Sequence, residues 1–201
     1  LVILKELADK DVAFRDLKPE NLVLDSNGYL KLIDFGCAIV LPGEETTNTM
    51  VGTTEYLAPE VVMGRGHNRG VDIWAFGLLL YELLLNRSPF WHANAAVIYQ
   101  NIVEYKDCLS TAFPQGFDRS AKDLILRVLV GNPHMRLGML RNGIDDIWEH
   151  VFFKNSNITE KRIGLKDIVP PCKPQDIESG QQDSYFMDLK DLVIGTFEDD
   201  N

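Results

Sequence analysis

Apolar residues crowd the opening positions, Leu1-Val2-Ile3-Leu4-Lys5-Glu6-Leu7, at a spacing that predicts a short helix with no N-cap residue before it. Two short apolar runs follow, Asn21-Leu22-Val23-Leu24-Asp25 and Tyr29-Leu30-Lys31-Leu32-Ile33-Asp34. The Asn27-Gly28 pair between them predicts a hairpin whose two central turn residues both have φ > 0. Residues 41–56 are rich in Thr, Glu, Gly and Asn and read as an exposed loop. From Val71 to Leu85 the chain is apolar nearly all round, which predicts a helix buried in a core. Helical spacing recurs near 94–104, 118–130 and 143–152. After Val169-Pro170-Pro171-Cys172-Lys173-Pro174 the pattern becomes extended and acidic. The expected class is α+β, a mainly α-helical lobe with a small β-hairpin and a tail. The uncapped first helix, with an apolar face and no visible partner, reads as the start of a fragment whose upstream part is missing.

The chain has 201 residues, 45% hydrophobic and 25% charged, which suits one domain or one large lobe. Asp72 and Glu82 interrupt the longest apolar run, so it is too short and too polar to span a bilayer. The net charge is −10, and eight acidic residues against one lysine between 175 and 201 carry seven of those charges. The acidity is therefore mostly that of a solvated tail, and phosphate contacts to nucleic acid would want the opposite sign. Cys37, Cys108 and Cys172 lie far apart, which excludes a disulfide scaffold and matches no zinc spacing. A reducing, cytoplasmic setting fits best.

The polar residues with unusual spacing fall between 14 and 60. Phe14-Arg15-Asp16-Leu17-Lys18-Pro19-Glu20-Asn21 leads into the hairpin, Asp34-Phe35-Gly36 ends it, and Ala58-Pro59-Glu60 closes the loop. Asn21 starts one strand and Asp34 ends its partner, so antiparallel pairing brings both oxygen donors to one end of the hairpin. A carboxylate and an amide oxygen there suit a hard cation such as magnesium carrying phosphate. Asp16 enters the same end, where it could orient a hydroxyl, and Lys18 could neutralise phosphate charge. Any one tripeptide recurs by chance; all three in order are very improbable.

This string resembles the catalytic-loop, Asp-Phe-Gly and Ala-Pro-Glu signature of eukaryotic protein kinases. Lys18-Pro19-Glu20 marks the serine/threonine branch, and Gly52-Thr53-Thr54-Glu55-Tyr56-Leu57-Ala58-Pro59-Glu60 is similar to the AGC group, which holds the cyclic-nucleotide-dependent kinases. Gly64-Arg65-Gly66-His67-Asn68, with the strings at 132–138 and 142–147, is most similar to cGMP-dependent protein kinase. The resemblance implies a kinase C-lobe at residues 1–153 and an AGC-type tail, partly disordered, at 154–201. It implies ATP and Mg2+ as cofactors. Asp16 would face the substrate hydroxyl, Lys18 the γ-phosphate, and Asn21 and Asp34 two magnesium ions. Val23 would lie against adenine, Thr53 would bond near Asp16 and Lys18, and Phe14 and Phe35 would stack. Glu60 would pair with Arg136, and Asp72 would anchor the catalytic loop.

Glu20 and Glu82 match positions that read arginine two residues before the acceptor, so protein substrates with basic residues are expected; the alternative for Glu82 is a solvated helix position. Thr49 matches the activating phosphothreonine, with Arg15 as its ligand. Three residues depart from the pattern: Phe14 replaces His or Tyr, Ile39 a phosphate-binding lysine, and Thr54 a proline. The glycine-rich loop, strand lysine and hinge of an N-lobe are absent from the sequence, as are cyclic-nucleotide-binding regulatory domains, so the chain alone is expected to turn over little or not at all. Two functions follow: a serine/threonine kinase cut at its N-lobe, or a non-catalytic module that binds through the helical lobe. Asp16, Lys18, Asn21 and Asp34 together favour the first, since a binding module has no need for all four.

Overall fold

The computed structural model describes residues 1–156 and 158–174. Its axis is the apolar run, which forms helix α3 (Gly70–Leu85) after a short N-terminal helix α1 (Val2–Ala8) and a four-residue helix α2 (Pro59–Val62). Because α3 is apolar nearly all round, it is covered from both sides. Trp74, Leu78, Tyr81 and Leu84 pack against α4 (Ala95–Val103), α5 (Tyr105–Ala112) and α6 (Arg119–Val128). Ile73 and Leu79 face a second cluster with Leu4 of α1, Phe14, Leu17 and Ile147 of α7 (Asp145–Trp148). Asn86, at φ 55°, ends α3 in the left-handed conformation, its N–H returning to the Glu82 carbonyl.

The expected hairpin is present as β2 (Leu22–Leu24) paired antiparallel with β3 (Leu30–Leu32), in the register Leu22 opposite Leu32. Its turn differs from the expected one. Asn27 is not in the left-handed region; only Gly28 is, at φ 91°. The cause is Asp25, whose carboxylate accepts the N–H groups of Asn27 (2.9 Å) and Tyr29 (3.0 Å), while its own N–H reaches the Tyr29 carbonyl (2.8 Å). That produces a five-residue turn with one glycine-dependent position, not a two-residue turn.

A second pair was not legible in the pattern: β1 (Val12–Ala13) with β4 (Ile39–Val40), antiparallel, Ala13 opposite Ile39. It ties the segment before Phe14 to the segment after Asp34-Phe35-Gly36. The single helix expected at 143–152 is two, α7 and α8 (Val151–Lys154), because His150 breaks the run and caps α8 through Nδ1, which accepts the Phe152 N–H at 3.2 Å.

After α8 the chain returns across the lobe instead of leaving it. Helix α9 (Glu160–Gly164) meets α1, where Lys5 bridges Asp145 (2.5 Å) and Glu160 (3.1 Å). The segment then covers the hairpin turn. Tyr29 Oη donates to the Ile168 carbonyl at 2.5 Å, Lys166 pairs with Asp25 at 3.2 Å, and a Cβ at Gly28 would come within 2.1 Å of the Cys172 carbonyl. The acidic stretch at 175–201 lies outside the described residues. Among the described residues no helix is long and apolar enough to cross a membrane.

Candidate functional site

The loop between β1 and β2 is held from below. Asp72, in the first turn of α3, accepts the backbone N–H groups of Phe14 and Arg15, each at 2.7 Å, one on each carboxylate oxygen. Burial raises its pKa to about 6, with those two donors pulling the other way. Arg15 takes φ 70°, unusual for a bulky residue, and its Nε donates to the Cys37 carbonyl at 2.7 Å. Asp34 is likewise left-handed, at φ 62° and ψ 78°, its carboxylate accepting the Gly36 N–H at 3.2 Å. Two such residues facing one loop are the local cost of aiming these side chains.

Above that anchor four of the expected residues form a closed network. Thr53 Oγ1 donates to Asp16 Oδ1 at 2.7 Å and lies 2.7 Å from Lys18 Nζ. Lys18 also pairs with Asp16 Oδ2 at 3.0 Å. Asn21 Nδ2 reaches both the Asp16 carbonyl (2.8 Å) and Asp16 Oδ2 (3.1 Å). Burial pushes the Asp16 pKa up, but hydrogen bonds from Thr53, Lys18 and Asn21 outweigh it and hold the carboxyl below its ordinary value. The hydrogen bond to Asp16 raises the Lys18 pKa against desolvation, with Glu20 and Asp34 adding to the pull. Asp34 is thus within electrostatic reach of this network, and the Ile33 N–H bonded to the Asn21 carbonyl (2.9 Å) joins the two hairpin ends.

The donor set suits magnesium. Asn21 spends its NH2 on Asp16, which leaves Oδ1 as a hard oxygen donor at the hairpin end where the exposed Asp34 follows β3. Among the described residues no three His, Cys, Asp or Glu side chains cluster to hold a metal by themselves. A carboxylate and an amide would therefore need waters or phosphate oxygens to complete the shell, as magnesium in phosphate sites does. Val23 is 39% exposed on the hairpin, and Phe14 and Phe35 meet edge to face with centroids 5.2 Å apart.

Glu60 and Arg136 form a buried two-pronged pair at 2.8 and 2.6 Å. Glu20 and Glu82 line one open pocket of about 800 Å3. Glu82 is half-buried and takes the Tyr56 hydroxyl, so it is not a freely solvated position. The same pocket holds Glu55, which sequence reasoning missed although it lies within the Gly52–Glu60 string; burial, then Glu82 and Glu20, raise its pKa. Thr49 is exposed, and among the described residues it shares no hydrogen bond with Arg15.

The protein kinase domain model matches residues 3–153. The chain is 40% identical to the serine/threonine-protein kinase YPK2/YKR2 of Saccharomyces cerevisiae over 96% of its own length and 28% of that protein. It is 40% identical to cAMP-dependent protein kinase type 3 of the same yeast, over 92% of this chain and 44% of the relative. The cAMP-dependent protein kinase catalytic subunit PRKX of Mus musculus is 41% identical over 84% of this chain and 45% of the relative. The chain therefore spans less than half the length of these curated relatives. A matched domain covering most of the chain, with relatives among the AGC-group serine/threonine kinases, places this protein in the protein kinase family.

Proposed function

We propose that this chain is the catalytic and substrate-binding lobe of a serine/threonine kinase that transfers the γ-phosphate of ATP to hydroxyls flanked by basic residues. The observation that carries this reading is the closed Asp16–Lys18–Thr53–Asn21 network beside Asp34. Asp16 stays anionic, so it accepts a hydrogen bond from the incoming hydroxyl and orients its oxygen. Lys18 brings positive charge to the phosphoryl oxygens, and Thr53 keeps Lys18 and Asp16 in register. Asn21 Oδ1 and the Asp34 carboxylate would hold magnesium. When bound, that metal neutralises charge on phosphate oxygens. Val23 offers an apolar surface for adenine. Arg15 receives a phosphate on Thr49.

Glu20, Glu55 and Glu82 supply an acidic pocket for guanidinium groups of the substrate. The narrower likeness to cGMP-dependent kinases rests on the Gly64–Asn68, 132–138 and 142–147 strings, and regulatory cyclic-nucleotide domains and an N-lobe would be the partners it implies. Residues 154–201 act as a tail, whose described part returns to the hairpin at Lys166 and Ile168.

The test grafts residues 1–201 below the N-lobe of yeast cAMP-dependent protein kinase type 3 and assays phosphate transfer to an arginine-rich peptide. Transfer abolished by Asp16→Asn supports the reading. An active chimera unaffected by that substitution sinks it.

A further inference from the structure

Beside the network lies a cavity of about 10 Å3, room for one oxygen-sized group. Arg15 and His67 both line it, together with Val51, Thr53 and Tyr56. Among the described residues each leaves one buried nitrogen without a partner, Arg15 Nη1 and His67 Nδ1, and His67 is only 3% exposed. Buried polar nitrogens are nearly always paired, so two orphans on one cavity point to a shared ligand. A guanidinium only donates, so that ligand must be an acceptor, and beside a cation an anionic oxygen is favoured.

The same histidine is clipped to the exposed segment that carries Thr49. Thr47 N donates to the His67 carbonyl at 2.9 Å, and His67 N donates to the Thr47 carbonyl at 3.0 Å. Thr49 folds back on this clip, its N and Oγ1 lying 3.3 and 3.2 Å from Thr47 Oγ1.

We propose that His67 joins Arg15 as the second ligand of a phosphate on Thr49, an inference that rests on the reading of Thr49 as a phosphorylated residue. Phosphorylation forms the Oγ1–P bond of Thr49, breaks the bond from the γ-phosphorus to ADP, and gives the hydroxyl proton to solvent. One phosphate oxygen then enters the cavity, accepting from Arg15 Nη1 and from His67 Nδ1–H. Burial, then Arg15, hold the imidazole below its ordinary pKa, with Glu60 opposing them. A dianion adds the counter-charge, so phosphorylation and His67 protonation favour each other. The role is a specific one: His67 reads the phosphate and ties the segment 47–49 to the loop before α3.

The experiment is a 31P NMR pH titration of the 201-residue chain carrying phosphothreonine at 49, with the His67→Phe, His67→Asn and Arg15→Gln variants. The phosphate pKa should fall by about 0.5 unit below its free value near 6. His67→Phe and Arg15→Gln should each return part of that shift, and His67→Asn, which keeps an N–H near Nδ1, should return less of it than His67→Phe. A shift that answers to Arg15→Gln but not to His67→Phe overturns the inference and leaves Arg15 as the lone ligand. A shift that answers to neither overturns the reading of Thr49 as well. Should His67→Phe fail to fold by circular dichroism, the imidazole signal of the unsubstituted chain decides. It moves toward the protonated position on phosphorylation if His67 binds, and staying put refutes the proposal.

Discussion

Replacing Arg136 by methionine keeps much of the side-chain volume and deletes the charge. Arg136 is fully buried, at 0% exposure. Its Nη1 and Nη2 hold both oxygens of Glu60, Nη1 also reaches the Gly70 carbonyl at 2.8 Å, and Nε reaches the Val130 carbonyl at 2.7 Å. The guanidinium lies over the Trp74 ring, 5.1 Å from its centre. Arg136→Met strands a buried carboxylate and two carbonyls at once. Breaking one side of a buried pair costs about 3–5 kcal/mol, a large share of a total stability near 5–15 kcal/mol. Urea unfolding followed by circular dichroism should show the unfolding free energy lowered by that much, through a lower midpoint at unchanged slope. Glu60→Gln together with Arg136→Met should cost clearly less than the two single changes added, by up to about 3 kcal/mol of coupling. A cost under about 1 kcal/mol for Arg136→Met, or an additive double variant, would show that the Glu60–Arg136 pair does not hold this part of the core. Arg136→Lys should not rescue, because an ammonium cannot replace the fork to Glu60 together with the Gly70 and Val130 bonds.

Asp72→Asn offers an NH2 where one of two backbone donors needs an acceptor, and should cost about 1–3 kcal/mol, with faster hydrogen exchange at the Phe14 and Arg15 amides. The folded pKa of Asp72 is raised from 3.8 to about 6. Its contribution is therefore full below the unfolded value and lost as pH rises through 6, so wild type should lose roughly 3 kcal/mol relative to Asp72→Asn across that window. In the N-lobe chimera, Glu20→Ala or Glu82→Ala should each raise KM for an arginine-rich peptide about tenfold, equivalent to about 1.4 kcal/mol, and leave a neutral peptide unchanged. Gly28→Ala introduces a side chain at φ 91° and into the Cys172 carbonyl. It should cost about 1–3 kcal/mol and expose residues 166–172 to protease, which Tyr29→Phe should do more weakly.

Elements with a strong one-dimensional signal were legible. The run apolar nearly all round became α3, and the two apolar runs flanking Asn27-Gly28 became β2 and β3. The contacts among Asp16, Lys18 and Asn21 follow from their short spacing, and a hairpin necessarily brings its two ends, Asn21 and Asp34, toward one another. The β1–β4 pair was invisible, since two residues on each side carry no period and the partners lie far apart in sequence. Helix α5 did carry a signal, with Tyr105, Cys108, Leu109 and Ala112 at helical spacing, but over only two turns. The hairpin turn was misread because the hydrogen bonds made by Asp25, two residues upstream, outweighed the preference of the Asn-Gly pair. Glu55 and His67 were missed for a different reason: what marks them is burial beside other charges or an orphan nitrogen, and both exist only in three dimensions.

On the proposed reading, Asn21 and Asp34 close a metal–phosphate site on this lobe. Isothermal titration of the 201-residue chain with ATP, with and without magnesium, tests it most directly. Binding should be weak, require magnesium, disappear in Asp34→Ala and survive in Glu82→Gln. Binding that is indifferent to magnesium or to Asp34→Ala, or no binding at millimolar ATP, would contradict it.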